Sequence, residues 1–219
     1  MCASDNFSSA YRCHYSTETA LLHTDSIYCS SDQGRPLLLV SLDLSPAFDI
    51  IDHHLLLDRL NESFGISCTA HSWLKSYFSN RHQSIRAGHS ESPRTHCLTG
   101  VPRASVLGPL LFTCYISPIS SIASSLDVSI QQYADDTKIY IVLTTADVTT
   151  HLTRLSSCLS VLHNWFCHNG LALNSSKSEF ILFGTRQRQS NFPLVFTPTI
   201  TGSQIPSSDN IKTLVVTRC

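Results

Sequence analysis

The chain has 219 residues and a net charge of −1, with 15 Lys and Arg against 16 Asp and Glu. That length suits one domain with a substantial core, and the charge balance excludes a protein that holds nucleic acid through bulk positive charge alone. Nine cysteines include no Cys-x-x-Cys pair, so neither a zinc ribbon nor a knuckle is expected. The N-terminus lacks the charged-then-apolar order of a secretion signal. Reduced thiols and an intracellular place, in nucleus and/or cytoplasm rather than secreted, are therefore expected.

In chain order, cap signals at Ser16, Thr17 and Glu18 predict a helix over Ser16–Ser26. Leu37–Leu42 is apolar, long enough for a buried strand and too short for a helix. Ser45 then reads as an N-cap and Pro46 as the first helical position, with Asp49 in the first turn. Apolar Phe48, Ile51, Leu55 and Leu56 carry that helix from Pro46 to about Asn61. A further helix, Thr69–Phe78, has Trp73, Leu74, Tyr77 and Phe78 on its apolar face, and a β-element near Gln83–Ala87 leads to Gly100-Val101-Pro102.

The uncharged stretch Ala104–Leu126 has roughly the length of a bilayer span. Pro109, Pro118 and the serines of its second half favour a buried helix instead, so no membrane is expected. A hairpin around Asp135 follows, then a long helix near Ala146–Cys167 and strands at Leu171–Leu173 and Phe180–Phe183. Cys158, His163, Cys167 and His168 cluster loosely. They lie in a periodic stretch with Leu155, Leu159, Leu162 and Phe166, which reads as an amphipathic helix rather than a metal site. Arg186–Asn210, rich in Ser, Thr, Pro and Gln, reads as a loop or arm. The fold class is α+β, an antiparallel sheet with helices on one face.

Tyr133-Ala134-Asp135-Asp136 falls between two β-rich runs, with Ala134-Asp135-Asp136 at a tight turn. Alone, an Asp-Asp pair there also fits a solvated turn, and Asp43 at the end of Leu37–Leu42 also fits a cap. Together, three carboxylates at strand ends match what two-metal phosphoryl transfer needs. Two divalent cations roughly 3.5–4 Å apart stabilise both the attacking and the leaving oxygen. Mg²⁺ takes hard oxygens, usually one or two carboxylates beside phosphates and water.

Other stretches fall into an ordered series: Ser9-Ala10-Tyr11-Arg12 with His14–Leu22, Ser41–Asp49 with Ile51-Asp52-His53, Ser79-Asn80-Arg81 with Gln83, Gly100-Val101-Pro102 through Phe112, Tyr133–Thr137, and Trp165 through Glu179. From about Phe7 to about Gly184 this series resembles the reverse transcriptase domain of LINE-type (non-LTR) retrotransposons. The resemblance implies a polymerase palm with part of the fingers over 1–185. It also implies a loop or arm and the start of a primer-grip segment over 186–219, with the thumb absent. The implied activity is RNA-directed DNA polymerisation, adding deoxynucleoside triphosphates to a DNA primer 3′ end on an RNA template.

By the same resemblance, Asp43 and Asp135 would ligate two Mg²⁺ ions, with Mn²⁺ as a substitute, aided by the Leu44 carbonyl and with Asp136 as third carboxylate. Phe48 would be the gate against a ribose 2′-hydroxyl. Lys177 would lie near the departing pyrophosphate, Arg103 and Ala104 would line the nucleotide site, and Arg12 and Arg81 would contact nucleic acid. Two departures stand out. Arg103-Ala104 replaces the family's Gln-Gly, and Val215 stands where glycine is preferred. The alternative is a decayed, catalytically inactive palm with at most weak nucleic-acid binding.

Overall fold

A computed structural model of the chain describes residues 36–45, 47–102, 105–133, 136–144, 147–184, 197–200 and 202–208, and the backbone of 211–213 and 216–218. Leu37–Leu42 forms β1, with the boundaries its apolar run predicts. It lies inside a four-stranded sheet with Ser129–Tyr133 (β6), Asp136–Val142 (β7) and Glu179–Phe183 (β8), in the order β6-β7-β1-β8. Every neighbouring pair is antiparallel. With helices between β1 and β6 and between β7 and β8, the connectivity is the split β-α-β of β-α-β-β-α-β folds.

Among the described residues, five helices flank the sheet: His53–Glu62 (α1), Cys68–Phe78 (α2), Leu107–Ile116 (α3), Pro118–Ser125 (α4) and Val148–His168 (α5). Alternation along the strands divides the side chains between two faces. Leu38, Val40, Leu42, Ile139 and Ile141 join Leu56, Phe112, Ile116, Leu159 and Phe166 in the main core. Leu37, Leu39 and Ile181, with Tyr140, Val142 and Phe183, form a second cluster on the opposite face. Buried on both sides, β1 needs apolar residues at successive positions, hence Leu37 to Val40 in succession, interrupted only by the half-buried Ser41. Leu107–Ser125 is apolar enough by length and composition to cross a bilayer. Here it is two helices, Pro118 opens the second, and Phe112, Tyr115, Ile116 and Ile119 are core residues.

One expected boundary is wrong for an instructive reason. The helix after β1 begins at His53, not Pro46, and 47–49 form a turn. The Phe48 and Ile51 carbonyls accept hydrogen bonds from the Val101 and Gly100 N–H groups, both at 2.8 Å. A helix through 48–51 would give those carbonyls to residues 52 and 55. Instead Asp52 is the N-cap, its Oδ1 accepting from Leu55 N–H at 2.9 Å. The expected strand at 171–173 also reduces to a single bridge, Leu44 with Leu173.

Within the stretch read as a loop, Thr199–Ile200 (β9) pairs with Ser203–Gln204 (β10), and this hairpin buries Ile200 and Ile205 in the main core. Ile211–Thr213 (β11) and Val216–Arg218 (β12) pair antiparallel where a primer-grip segment is expected. A long exposed hairpin arm is built by His82–Gln83 (β2) on Thr95–His96 (β5) and Arg86–Ala87 (β3) on Ser90–Glu91 (β4). The expected helix at Ser16–Ser26 lies outside the described residues.

Trp165 and Asn169, which carry part of the sequence resemblance, serve packing. The Arg59 guanidinium donates to the Tyr115 carbonyl and, at 2.9 Å, to Asn169 Oδ1. It lies over the Tyr115 and Trp165 rings at 5.0 and 5.3 Å. The Tyr115 hydroxyl donates to the Asn169 carbonyl at 2.8 Å. This network ties α1, α3 and α5 together, and burial lowers the Arg59 pKa from its ordinary value.

Gly100 has φ +86°, and a Cβ there would stand 2.7 Å from the Asp49 carbonyl oxygen. Gly100→Ala is therefore expected to destabilise the fold by about 2 kcal/mol or more. Gly88→Ala at the arm's tip, where nothing lies within 4 Å, should cost only about 1 kcal/mol. Urea unfolding midpoints of the two variants check this; equal losses would contradict the assigned contact.

Candidate active site at the ends of the central strands

The β1/β7 register pairs Leu42 with Thr137. Extended by one residue, it sets Asp43, just past β1, beside Asp136, the first residue of β7. Alternation puts both on the sheet face of Leu39 and Tyr140, away from the helices. On the other side, β6 and β7 pair as far as Tyr133 with Asp136. The expected tight hairpin is present, with Asp136 inside the strand rather than in the turn. Ala134 and Asp135 lie outside the described residues.

The backbone of Asp43 is held from β8's side. Its N–H donates to Ser178 Oγ at 3.2 Å, and its carbonyl accepts from Asn174 N–H at 2.9 Å. Ser178 Oγ donates in turn to the Asn174 carbonyl at 2.8 Å, while Asn174 Oδ1 accepts from Ser176 N–H and Oγ. The turn 174–178 is thus closed on itself and locked to Asp43, and it carries Lys177, whose side chain is exposed. The Leu44–Leu173 bridge is completed by Ser45 N–H donating to the Ala172 carbonyl. In such a bridge the flanking residues make the hydrogen bonds, so the Leu44 carbonyl is directed away from Leu173, to the β7 side of β1.

Each carboxylate has one oxygen engaged. Ser45 Oγ donates to Asp43 Oδ2 at 3.0 Å, so this serine orients a carboxylate instead of capping a helix. Lys138 Nζ meets Asp136 Oδ2 at 2.9 Å, with the lysine side chain only 3% exposed and the aspartate 30%. Among the described residues, nothing donates to the Oδ1 atom of either aspartate. Two such oxygens and a carbonyl are hard donors that the strand register brings to one end of the sheet. They fit a hard divalent cation and not the thiolate and imidazole sets that favour zinc.

The remaining residues separate from this cluster. Phe48 is half-buried, packs on Phe112 with ring centroids 4.9 Å apart, and is fixed through its carbonyl to Val101. Arg81 lies beyond α2, over the Tyr77 ring. Arg12, Arg103 and Ala104 lie outside the described residues, although Ser105 Oγ closes the flanks of the last two by donating to the Pro102 carbonyl at 2.8 Å. Cys158 is a core residue whose thiol is pushed up to about 11 by burial, while Cys167 lies exposed beside His163. Sequence reasoning gave no site role to Ser45, Lys138, Asn174 or Ser178. For Lys138 a signal existed: opposite charges at i and i+2 share one face of a strand.

Comparison with known proteins points one way. A family model described as reverse transcriptase (RNA-dependent DNA polymerase) matches residues 5–217. A probable RNA-directed DNA polymerase from transposon BS of Drosophila melanogaster is 29% identical over 117 residues, 51% of this chain and 12% of that protein. Apo telomerase of Candida tropicalis, truncated from its C-terminal domain, superposes with TM-score 0.56 at 12% identity, over 92% of this chain and 39% of its own. Telomerase of Candida albicans in complex with a fragment of telomeric RNA gives TM-score 0.55 at 12% identity, over 90% and 31%. The two telomerases share the fold; the chain spans only a minor part of each of these three proteins.

Removing Asp136 leaves a buried ammonium without its partner. Asp136→Ala is expected to lower stability by about 3 kcal/mol, and adding Lys138→Met should recover most of that loss. Chemical unfolding of the two singles and the double measures it. A double variant no more stable than Asp136→Ala would contradict the pairing.

Proposed function

Because the chain belongs to the reverse transcriptase (RNA-dependent DNA polymerase) family, we propose that it is the palm, with part of the fingers, of a LINE-type retrotransposon polymerase. Its substrates are then an RNA template, a DNA primer and deoxynucleoside triphosphates, and it works inside the cell, in nucleus and/or cytoplasm. The observation that carries this reading is the placement of Asp43 and Asp136 side by side at the ends of the two central strands, the first locked through its backbone by Asn174 and Ser178.

Reverse transcriptases depend on divalent metal, and the specific ion proposed here is Mg²⁺, with Mn²⁺ as a substitute. Asp43, Asp135, Asp136 and the Leu44 carbonyl are the residues that would hold it. When bound, such ions activate the primer 3′-oxygen and offset charge on the phosphates. In the reaction that oxygen bonds to the α-phosphorus of the nucleotide as the bond to pyrophosphate breaks.

The chain's own groups do the positioning. Ser45 fixes the rotamer of Asp43 through Oδ2. Lys138 holds Asp136 through Oδ2 and offsets the mutual repulsion of neighbouring carboxylates. Lys177, exposed on the turn fastened to Asp43, is within the reach of a long side chain from the strand end and would meet the departing pyrophosphate. Phe48, pinned by Phe112 and by Val101, would present a ring that leaves no room for a 2′-hydroxyl.

Primer extension on an RNA template with Mg²⁺ or Mn²⁺ tests the proposal. Asp43→Asn and Asp135→Asn should each reduce extension by about 1,000-fold or more, without the folding defect of an alanine at 136. Extension unchanged in both would sink it. Silence of the unmodified chain that Arg103→Gln/Ala104→Gly relieves would locate the lesion in the glycine motif, and silence of both would favour the inactive palm. Phe48→Val is expected to raise ribonucleotide incorporation about tenfold or more, an effect of roughly 1–2 kcal/mol on discrimination; unchanged discrimination would remove the gate role.

A further inference from the structure

Residues 67–99, which comprise α2 and the hairpin arm, differ in charge from the rest of the chain. They carry Lys75, Arg81, Arg86 and Arg94 against the single acid Glu91, a net +3 within a chain of −1, which leaves −4 for the remainder. His71, His82, His89 and His96 fall in the same stretch. Nearly all of the arm is exposed, including Ile85 and Leu98.

An aromatic ladder borders this arm. Trp73 and Tyr77, one helical turn apart on α2, stack with centroids 5.6 Å apart and planes 19° from parallel. Arg81, four residues further on, sets its guanidinium carbon 5.3 Å from the Tyr77 centroid. Trp73 is not what docks α2 to the domain: Leu74 and Phe78 are the helix's buried residues, the half-buried Tyr77 packs against the same core, and Phe78 stacks on His53 at 4.5 Å. Trp73 remains 54% exposed, an unusual amount for an indole whose neighbour Leu74 is in the core. Arg81 is anchored through its carbonyl, which accepts from Cys97 N–H at 2.8 Å. Its Nη1 is covered yet has no hydrogen-bond partner among the described residues.

A planar stack ending in an open indole face, beside exposed cations, suits unpaired bases on a phosphate backbone. We propose that the Trp73–Tyr77–Arg81 ladder and the adjoining arm form a docking surface for single-stranded RNA. A base stacks on the exposed face of Trp73, and a phosphate drawn against the ladder meets the part of the half-buried Arg81 side chain left open to solvent. Lys75 and Arg94 supply the nearby charge, since Arg86 is already paired with Glu91 at 3.1 Å. The inference rests on the polymerase reading for the identity of the strand as template, and it assigns that contact to residues remote in sequence from the carboxylates.

The test measures equilibrium binding of a fluorescein-labelled single-stranded RNA of about 16 nucleotides, the upper end of a single-strand site, by anisotropy. The chain carries Asp43→Asn throughout, so catalysis plays no part. Trp73→Ala should weaken binding about tenfold and Trp73→Phe should retain most of it. Arg81→Met should weaken binding and reduce the salt slope by about 0.7. Thermal melting of each variant checks that the fold is kept. No binding by the parent chain, unchanged affinity in the ladder variants, or equal affinity for a duplex of the same sequence would overturn the inference. So would an oligomeric state that changes with Trp73 while RNA affinity does not, which would make the ladder a protein contact. A chain that fails primer extension yet binds RNA through Trp73 would remove the polymerase reading alone.

Discussion

The antiparallel pairing of β1 with β7 is the constraint on which the site depends. Its register, Leu42 opposite Thr137, brings two acidic residues more than ninety positions apart in sequence to one edge of one sheet face. A slip of one residue would turn Asp43 and Asp136 to opposite faces and carry Leu38 and Val40 out of the main core. The apolar alternation that builds the core therefore also sets the carboxylate geometry. Stability and site placement are one specification here.

Around that pairing the molecule adds fasteners that are polar and short in reach. Asn174 and Ser178 take both backbone groups of Asp43, Ser45 takes one of its oxygens, and Lys138 takes one of Asp136. Gly100 does comparable work one layer out. Its N–H bonds to the Ile51 carbonyl, its own carbonyl accepts from His53 Nε2 at 2.8 Å, and its missing Cβ lets it approach Asp49. The glycine motif thereby shapes the turn that carries Phe48, before any contact with a substrate is considered.

Much of this was legible in the sequence. The boundaries of β1 followed from its apolar run, the hairpin from the β-rich segments either side of Asp135, and α5 from its helical periodicity. The start of α1 was not legible, because local signals at Ser45 and Pro46 favour a helix that a distant partner, Gly100-Val101, overrides by taking the Phe48 and Ile51 carbonyls. The burial of Lys138 was hidden for a similar reason: a lysine in a strand reads as solvated until the sheet order puts β7 in the interior. Trp73 and Tyr77 read as an apolar helix face, and only the exposure of Trp73 and its stacking on the half-buried Tyr77 separate them from Leu74 and Phe78.

The central claim is that Asp43 and the acidic pair at the hairpin share one divalent-cation site at the strand ends. Its most direct measurement is a titration of the chain with Mn²⁺ followed by electron paramagnetic resonance, which needs neither template nor turnover. A saturable Mn²⁺ population that disappears in both Asp43→Asn and Asp135→Asn, with the fold intact by circular dichroism, is the predicted result. Mn²⁺ binding unchanged by either substitution would contradict it.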